Sequence, residues 1–204
     1  MYNVRGDVYS VRMTRDRILS AAQTVLEREG IEGLTIRKVA EQAELSPMAL
    51  YRHFADKEAL FNALMENGLA AWTKIVGAIC AEDPMEWLEA LGEAHLDFAL
   101  TQRHRYDAAF FLPAPAARRF PDDFAVGRSP TLTMVMARIE QAKLGGRLRD
   151  SPTLEVALTV VALGQGFVSM HRANRFTGER QFKALYRAAL RQFLESLKPY
   201  GESE

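Results

Sequence analysis

The sequence contains a single cysteine, Cys80, among its 204 residues. One cysteine excludes a disulfide framework within the chain and a cysteine metal site, and it favours a reducing, cytoplasmic location. The chain also has no excess of one charge, because 26 Lys and Arg residues balance 26 Asp and Glu residues. Proteins that coat nucleic acid without specificity usually carry a large positive excess. Any nucleic-acid binding by this chain must therefore come from a small local patch with good geometry.

Long apolar runs are missing as well. No run of uncharged apolar residues reaches the ~18 residues that a membrane span requires, and residues 1–13 lack the apolar block of a signal peptide. Hydrophobic residues make up 48% of the chain and charged residues 25%, which is typical of a folded globular protein. We therefore expect no membrane partner, and a chain of this length needs no disulfide or metal to stabilise its core.

Segments with the alternating pattern of a β-strand are absent too. Apolar residues recur instead at helical spacing, between breakers such as Gly30, Gly145 and Pro152. Thr14 is predicted to cap the first helix, which ends at Gly30. The pattern predicts an all-α protein with three short helices at the N-terminus, a long helix from Lys57, and further helices towards the C-terminus.

The connection between the second and third helices is tight, with its turn around Glu44 and Leu45. This is the spacing of a helix-turn-helix, in which the second helix of the pair enters the major groove of DNA. Leu50 and Phe54 are four residues apart, so they share a face of the third helix and pack inward. The opposite face is predicted to meet DNA, and it presents Pro47, Met48, Ala49, Tyr51, Arg52 and His53.

Two further positions near this helix are suited to phosphate. Unpaired backbone N–H groups at the start of the second helix, around Thr35 and Ile36, form one of them, and Lys57 supplies the other. A three-helix pattern alone is more often plain helical packing than DNA recognition. Finding Tyr51, His53 and Lys57 in register with that pattern favours DNA binding.

Three strings in this region resemble the TetR (tetracycline repressor) family: LTIRKVA at 34–40, LSPMALYRHF at 45–54 and KEAL at 57–60. The resemblance covers about residues 14–65. It implies an all-helical homodimeric regulator, usually a repressor that a small ligand releases from its operator. It also implies that Thr35 anchors the second helix. The phosphate contacts it implies are Tyr51, His53 and Lys57, and the base-facing residues are Arg37, Ser46, Pro47, Met48 and Ala49.

On this resemblance, residues 14–56 form the helix-turn-helix DNA-binding domain and residues 57–204 form the domain that binds the ligand and dimerises. Residues 1–13 are either a disordered arm that reaches a DNA groove or an artefact of the start site. Glu44 departs from the family pattern, since glycine often occupies this turn position. A positive φ at Glu44 would cost of the order of 1 kcal/mol.

The remainder of the chain has enough aromatic and Met residues to line an apolar pocket, although each could equally be ordinary core. The ligand-binding candidates are Trp72, His95, Phe98, Phe110, Met134, Arg138, Gln165 and His171. They predict a small apolar or aromatic effector whose polar end meets a histidine or glutamine. A monomer is expected to expose the apolar stripe of the last helix, which predicts a dimer through Phe167, Phe182, Tyr186, Ala189 and Phe193.

Catalytic signatures are weak. Glu93, His95 and Asp97 lack the spacing of a zinc-binding helix, since residues one or two apart do not share a helix face. The sequence also has no Gly-x-Ser-x-Gly turn, phosphate loop or dinucleotide fingerprint. We therefore expect no enzyme activity, metal or cofactor. The alternative to a regulator is a helical small-molecule-binding protein whose DNA role is vestigial.

Overall fold

The computed structural model describes residues 4–199, apart from the side chains of residues 4–12 and of residue 125. Within this range the regular elements are ten helices and no strand, so the predicted all-α class is confirmed. The helices are α1 (Val4–Gly33), α2 (Ile36–Gln42), α3 (Pro47–Tyr51), α4 (Lys57–Gly77), α5 (Pro84–Thr101), α6 (Arg103–Phe110), α7 (Asp122–Ala125), α8 (Pro130–Leu144), α9 (Thr153–Arg172) and α10 (Glu179–Ser196).

Helix α1 begins ten residues earlier than the sequence pattern predicts. Its backbone is helical from Val4, so Thr14 lies inside the helix and its predicted role as N-cap is wrong. The predicted break at Gly30 is present, because Gly30 has φ 72° and ψ −175°. Most of the predicted arm, residues 1–13, lies outside the residues whose side chains are described. The role of this arm in DNA binding stays a prediction.

Helices α2 and α3 both begin at side-chain caps. The hydroxyl of Thr35 accepts a hydrogen bond from the backbone N–H of Lys38 at 3.3 Å. The hydroxyl of Ser46 accepts one from the N–H of Ala49 at 3.1 Å, and Pro47 occupies the first turn of α3. Such caps satisfy N–H groups that have no partner within the helix. They fix where each short helix starts.

The chain divides into two compact units. The first unit comprises Met1–Trp72 and Gln102–Ala117, and the second comprises Thr73–Thr101 and Arg118–Glu204. The first unit therefore includes α6 as well as α1 to α3, and helix α4 is continuous through residue 72 into the second unit. The domain division predicted after residue 56 is a statement about function and stays a prediction.

The core of the first unit joins α6 to the N-terminal helices. Ala108, Leu112 and Ala114 belong to the same buried cluster as Ile18 and Leu50. Gly68 allows α4 to approach the backbone of α6 closely. A Cβ at this position would lie 2.7 Å from the carbonyl oxygen of Arg105 and 2.8 Å from the amide nitrogen of Ala109.

The second unit has buried hydrogen bonds between α5 and α10. Tyr186 donates its hydroxyl hydrogen to the carbonyl of Gly92 at 3.1 Å, and the same hydroxyl lies 3.0 Å from Nδ1 of His95. Because the tyrosine hydrogen is used on Gly92, Nδ1 of His95 is the donor of the second bond. Burial lowers the pKa of His95 to about 4, so the imidazole is neutral at pH 7.

Helix α9 is long and apolar enough to cross a membrane by length and composition alone, with a mean hydropathy of 1.5 over its 18-residue window. The core helix of a globular protein passes the same test, so one such helix is weak evidence for a span. Only 28% of that window is buried within the chain. Several apolar side chains of α9 therefore lie at the surface, among them Met170, which is 48% exposed.

Candidate nucleic-acid interface

A tight turn within the four residues 43–46 separates α2 from α3. The N–H of Leu45 donates to the carbonyl of Ala40 at 2.9 Å, and the N–H of Glu44 donates to the carbonyl of Glu41 at 3.0 Å. These two bonds form a Schellman motif, which places the residue after the helix cap in the left-handed region. That residue is Glu44, with φ 54°. Glu44 therefore adopts the positive φ that glycine often provides at this turn.

Helix α3 is anchored on one side and exposed on the other. Leu50 is fully buried and Phe54 is 2% exposed, and both belong to the core of the first unit. On the outer side Met48 is 74% exposed and Tyr51 is 46% exposed. A large exposed thioether at the tip of a five-residue helix has no role in the core.

The residues predicted to contact DNA all reach the surface of the first unit. Ile36, Ala49 and His53 are partly exposed. The exposed members of the set are Thr35, Arg37, Ser46, Pro47, Met48, Tyr51, Arg52 and Lys57. The structure thus brings the predicted set to one unit and leaves every member accessible.

The cations of this set are not neutralised. Across the described part of the chain, no carboxylate lies within ion-pair distance of Arg37, Arg52 or Lys57, whereas the neighbouring Lys38 pairs with Glu29. Lys57 stands in the first turn of α4, where a cation opposes the helix dipole. A phosphate beside Lys57 would be favoured by both the ammonium and the N–H groups of that turn.

Two sequence models of known families match the chain. The model described as "Bacterial regulatory proteins, tetR family" matches residues 18–64, and the model described as "Tetracyclin repressor-like, C-terminal domain" matches residues 88–193. The second match alone covers more than half of the chain. The chain belongs to the TetR family. It is therefore a DNA-binding transcriptional regulator.

Two curated relatives of this TetR-family chain are named as repressors. The transcriptional repressor AcnR of Corynebacterium diphtheriae is 29% identical over 162 residues, which is 77% of this chain and 80% of AcnR. The tetracycline repressor protein class E of Escherichia coli is 42% identical over 59 residues, 29% of this chain and 28% of that repressor. A TetR variant from Acinetobacter baumannii AYE, solved in complex with minocycline, has the same fold. It matches with a TM-score of 0.63 at 22% identity, over 88% of this chain and 93% of its own.

The predicted ligand residues of this TetR-family chain are divided between the two units. Trp72 and Phe110 lie in the first unit and contact each other edge to face, with ring centroids 6.3 Å apart. The other six lie in the second unit: His95, Phe98, Met134, Arg138, Gln165 and His171.

Within the second unit these six residues have different surroundings. Phe98 is fully buried, and the ring of His171 stacks on that of Phe182 with centroids 4.2 Å apart. Arg138 lies over the ring of Trp87 and lines an open cleft of about 720 Å³ near Cys80. That cleft includes none of the other seven candidates. The ligand set therefore stays a prediction.

The predicted dimer residues need one correction. Phe182 is fully buried and Tyr186 is 2% exposed within the single chain, so the prediction that a monomer would expose them is wrong. Their side chains pack inside the second unit, where Tyr186 bonds to Gly92. The other three candidates, Phe167, Ala189 and Phe193, are partly exposed.

The predicted dimer residues leave out two exposed apolar residues on the same helices. Leu185 of α10 is 45% exposed and Met170 of α9 is 48% exposed. The signal was present in α10, where Leu185 and Ala189 form a second apolar row beside the buried row of Phe182 and Tyr186. Helical periodicity in the sequence does not distinguish these two rows, so both appear as one wide apolar stripe.

No group of three or more His, Cys, Asp or Glu side chains in the described ranges is placed to hold a metal ion.

Proposed function

We propose that this protein is a dimeric, cytoplasmic repressor that binds a near-palindromic operator through α3 and is released by a small apolar or aromatic effector. The observation that carries the proposal is the division of α3 between an anchored and an exposed side. Leu50 and Phe54 hold the helix in the core, and Met48 and Tyr51 face outward. In a helix-turn-helix, the exposed side of the second helix enters the major groove.

The proposed contacts fall into two classes. Tyr51, His53 and Lys57 bind phosphates, which fixes the position of the protein on the duplex but reads no sequence. Met48 and Ala49, at the N-terminal tip of α3, meet base edges and thymine methyl groups. Repression is the activity named for the curated relatives AcnR and the class E tetracycline repressor.

The proposed effector acts through α4. This helix runs for 21 residues from Lys57 to Gly77, about 30 Å, and it is continuous between the two units. A ligand that binds the second unit with different affinity in the free and DNA-bound states would shift the equilibrium between them. The structural neighbour from Acinetobacter baumannii was solved with a bound small molecule, minocycline, which supports a small-molecule effector here.

The proposal is tested first by selecting duplexes from a randomised library with the full-length protein. Selected DNA should contain a near-palindrome whose half-sites lie about one helical turn, 34–36 Å, apart. Binding of the selected duplex is then measured by fluorescence anisotropy for Lys57→Ala and for Lys74→Ala. Lys74 is a matched control because it is an exposed lysine on the same helix, in the second unit.

We expect Lys57→Ala to weaken binding to every sequence and to reduce the salt slope by about 1.8, because each dimer loses two phosphate contacts. Lys74→Ala should bind like the wild type. Tyr51→Ala, if still helical by circular dichroism, should also weaken binding. Unchanged affinity of both Lys57→Ala and Tyr51→Ala would contradict the proposed interface.

The effector is tested by linkage. Aromatic compounds, with minocycline among them, are screened for a thermal shift, and a compound that binds is titrated with and without the selected duplex. Reciprocity requires weaker ligand binding to the DNA-bound dimer if the ligand weakens DNA binding. Equal ligand affinities in the two titrations would rule out release by that ligand.

A further inference from the structure

Arg15 of α1 is held against the end of the recognition helix. Its Nη1 donates a hydrogen bond to the carbonyl of His53 at 3.4 Å, and its guanidinium carbon lies 4.4 Å from the ring centroid of Phe54. Phe54 is 2% exposed, so its ring is fixed in the core. Ile18, one turn further along α1, is fully buried and fixes the backbone from which Arg15 extends.

These contacts position the guanidinium without neutralising it. Within the described ranges no carboxylate lies within 4 Å of Arg15, whereas Arg28 of the same helix pairs with Glu29 at 2.9 Å. A guanidinium has five N–H donors, and the carbonyl of His53 uses one of them. Arg15 is exposed, so its other donors face solvent beside the end of α3.

A second cation of the first unit is placed in the same way. Nζ of Lys57 lies 4.8 Å from the ring centroid of Phe61, which is buried in the same core as Phe54. Arg15 and Lys57 thus each lie over a core aromatic ring, and neither has a carboxylate partner among the described residues. Such cation–π contacts restrict a side chain but leave its charge available.

We propose that Arg15 is a further contact to the DNA backbone, held ready by His53 and Phe54 to bind a phosphate next to the one that His53 meets. This inference rests on the proposed function, because it requires the end of α3 to face the duplex. The guanidinium matches phosphate geometry and loses little freedom on binding, since its position is already fixed.

The experiment compares three variants on the duplex that the wild-type protein selects. Fluorescence anisotropy is measured between about 50 and 200 mM salt for Arg15→Ala, Arg15→Lys and Arg17→Ala. Arg17 is the matched control, because it is an exposed arginine on the same helix without a carboxylate partner in the described structure. Thermal unfolding of each variant is recorded in parallel.

Each Arg15→Ala dimer should lose two phosphate contacts, which reduces the salt slope by about 1.8 and weakens binding by roughly 25- to 100-fold near 0.1 M salt. Arg15→Lys should keep the wild-type slope because it keeps the charge, and Arg17→Ala should keep both the slope and the affinity. Arg15→Ala with the wild-type slope would overturn the inference. If affinity and melting temperature then fell together, Arg15 would have a structural role only.

The same measurements separate this inference from the proposed function. If Lys57→Ala reduces the slope and Arg15→Ala does not, the interface stands and the role of Arg15 is refuted. If the protein selects no duplex, or if neither variant changes the slope, both are refuted.

Discussion

Glu44 combines backbone strain with an unfavourable charge at the turn between α2 and α3. Its φ of 54° lies in the left-handed region, which costs a residue with a Cβ about 1–2 kcal/mol relative to glycine. Its carboxylate is exposed next to α3, the helix proposed to enter the major groove. Both features are local to this side chain, so they can be separated by substitution.

Glu44→Gly should raise the free energy of unfolding by about 0.5–1 kcal/mol. The gain is smaller than the strain because glycine also gives the unfolded chain more freedom. It should also tighten DNA binding, since a negative charge near phosphates is removed. Urea denaturation and anisotropy measure the two effects.

Glu44→Gln is the control that separates strain from charge. It keeps the Cβ and removes the carboxylate, so it should leave stability nearly unchanged and tighten DNA binding as Glu44→Gly does. Equal stability of the glycine and glutamine variants would contradict the assignment of strain to this turn.

Gly68 sets the distance between α4 and α6 in the first unit. A Cβ there would lie within 2.8 Å of two backbone atoms of α6, and backbone cannot move aside as a flexible side chain can. We expect Gly68→Ala to lower the free energy of unfolding by about 1–3 kcal/mol, as overpacking does.

Gly77→Ala is the matched control on the same helix. Nothing lies within 4 Å of the Cβ that this change would add, so it should be neutral or stabilise by up to ~1 kcal/mol through helix propensity. Urea denaturation measures both variants. A Gly68→Ala protein as stable as Gly77→Ala would contradict the close approach of α4 and α6.

Burial of His95 of α5 beside Tyr186 of α10 makes the free energy of unfolding depend on pH. The pKa of His95 is about 4 in the fold, against about 6.5 for a histidine in an unfolded chain. Between these values the unfolded state binds a proton that the folded state does not, so stability is full above pH 6.5 and falls as the pH drops towards 4.

His95→Gln should remove that component of the pH dependence. Between pH 7 and pH 4.5 the wild type should lose about 2 kcal/mol more than the variant, by urea denaturation at each pH. Parallel losses in the two proteins would show that His95 is not the buried neutral group described here.

Sequence reasoning predicted the features of the molecule that have a local cause. The break at Gly30 and the inward packing of Leu50 and Phe54 follow from residue type and spacing along the chain. The predicted N-cap at Thr14 was wrong because the helix continues through residues 4–13. The N–H groups after Thr14 therefore have helix carbonyls as partners and need no capping hydroxyl. Sequence periodicity also could not show that α6 packs with α1, because that packing depends on contacts distant in sequence.

The burial of Phe182 and Tyr186 illustrates a second limit of periodicity. An apolar stripe indicates that a face is covered, but not whether the same chain or a second copy covers it. In the structure one row of α10 is covered by the chain itself, and the row containing Leu185 is not. The proposed dimer therefore uses Leu185 and Phe193 of α10 with Phe167 and Met170 of α9.

A charge on this row should prevent dimer formation. We expect Leu185→Glu to be a monomer at micromolar concentration by light scattering, because burying an unpaired carboxylate in an apolar interface is costly. Leu144→Glu is the control, since Leu144 is 88% exposed at the end of α8. It should remain a dimer. Dimeric Leu185→Glu, or a monomeric wild type, would contradict this interface.

The most direct test of the account is the ratio of specific to nonspecific DNA affinity. Anisotropy titrations compare the selected duplex with a scrambled duplex of the same length and composition, at about 150 mM salt. A chain without net charge should bind the scrambled duplex weakly, and geometry should make the selected duplex bind at least about 10³-fold more tightly. Equal affinity for the two duplexes would contradict sequence-specific recognition by α3.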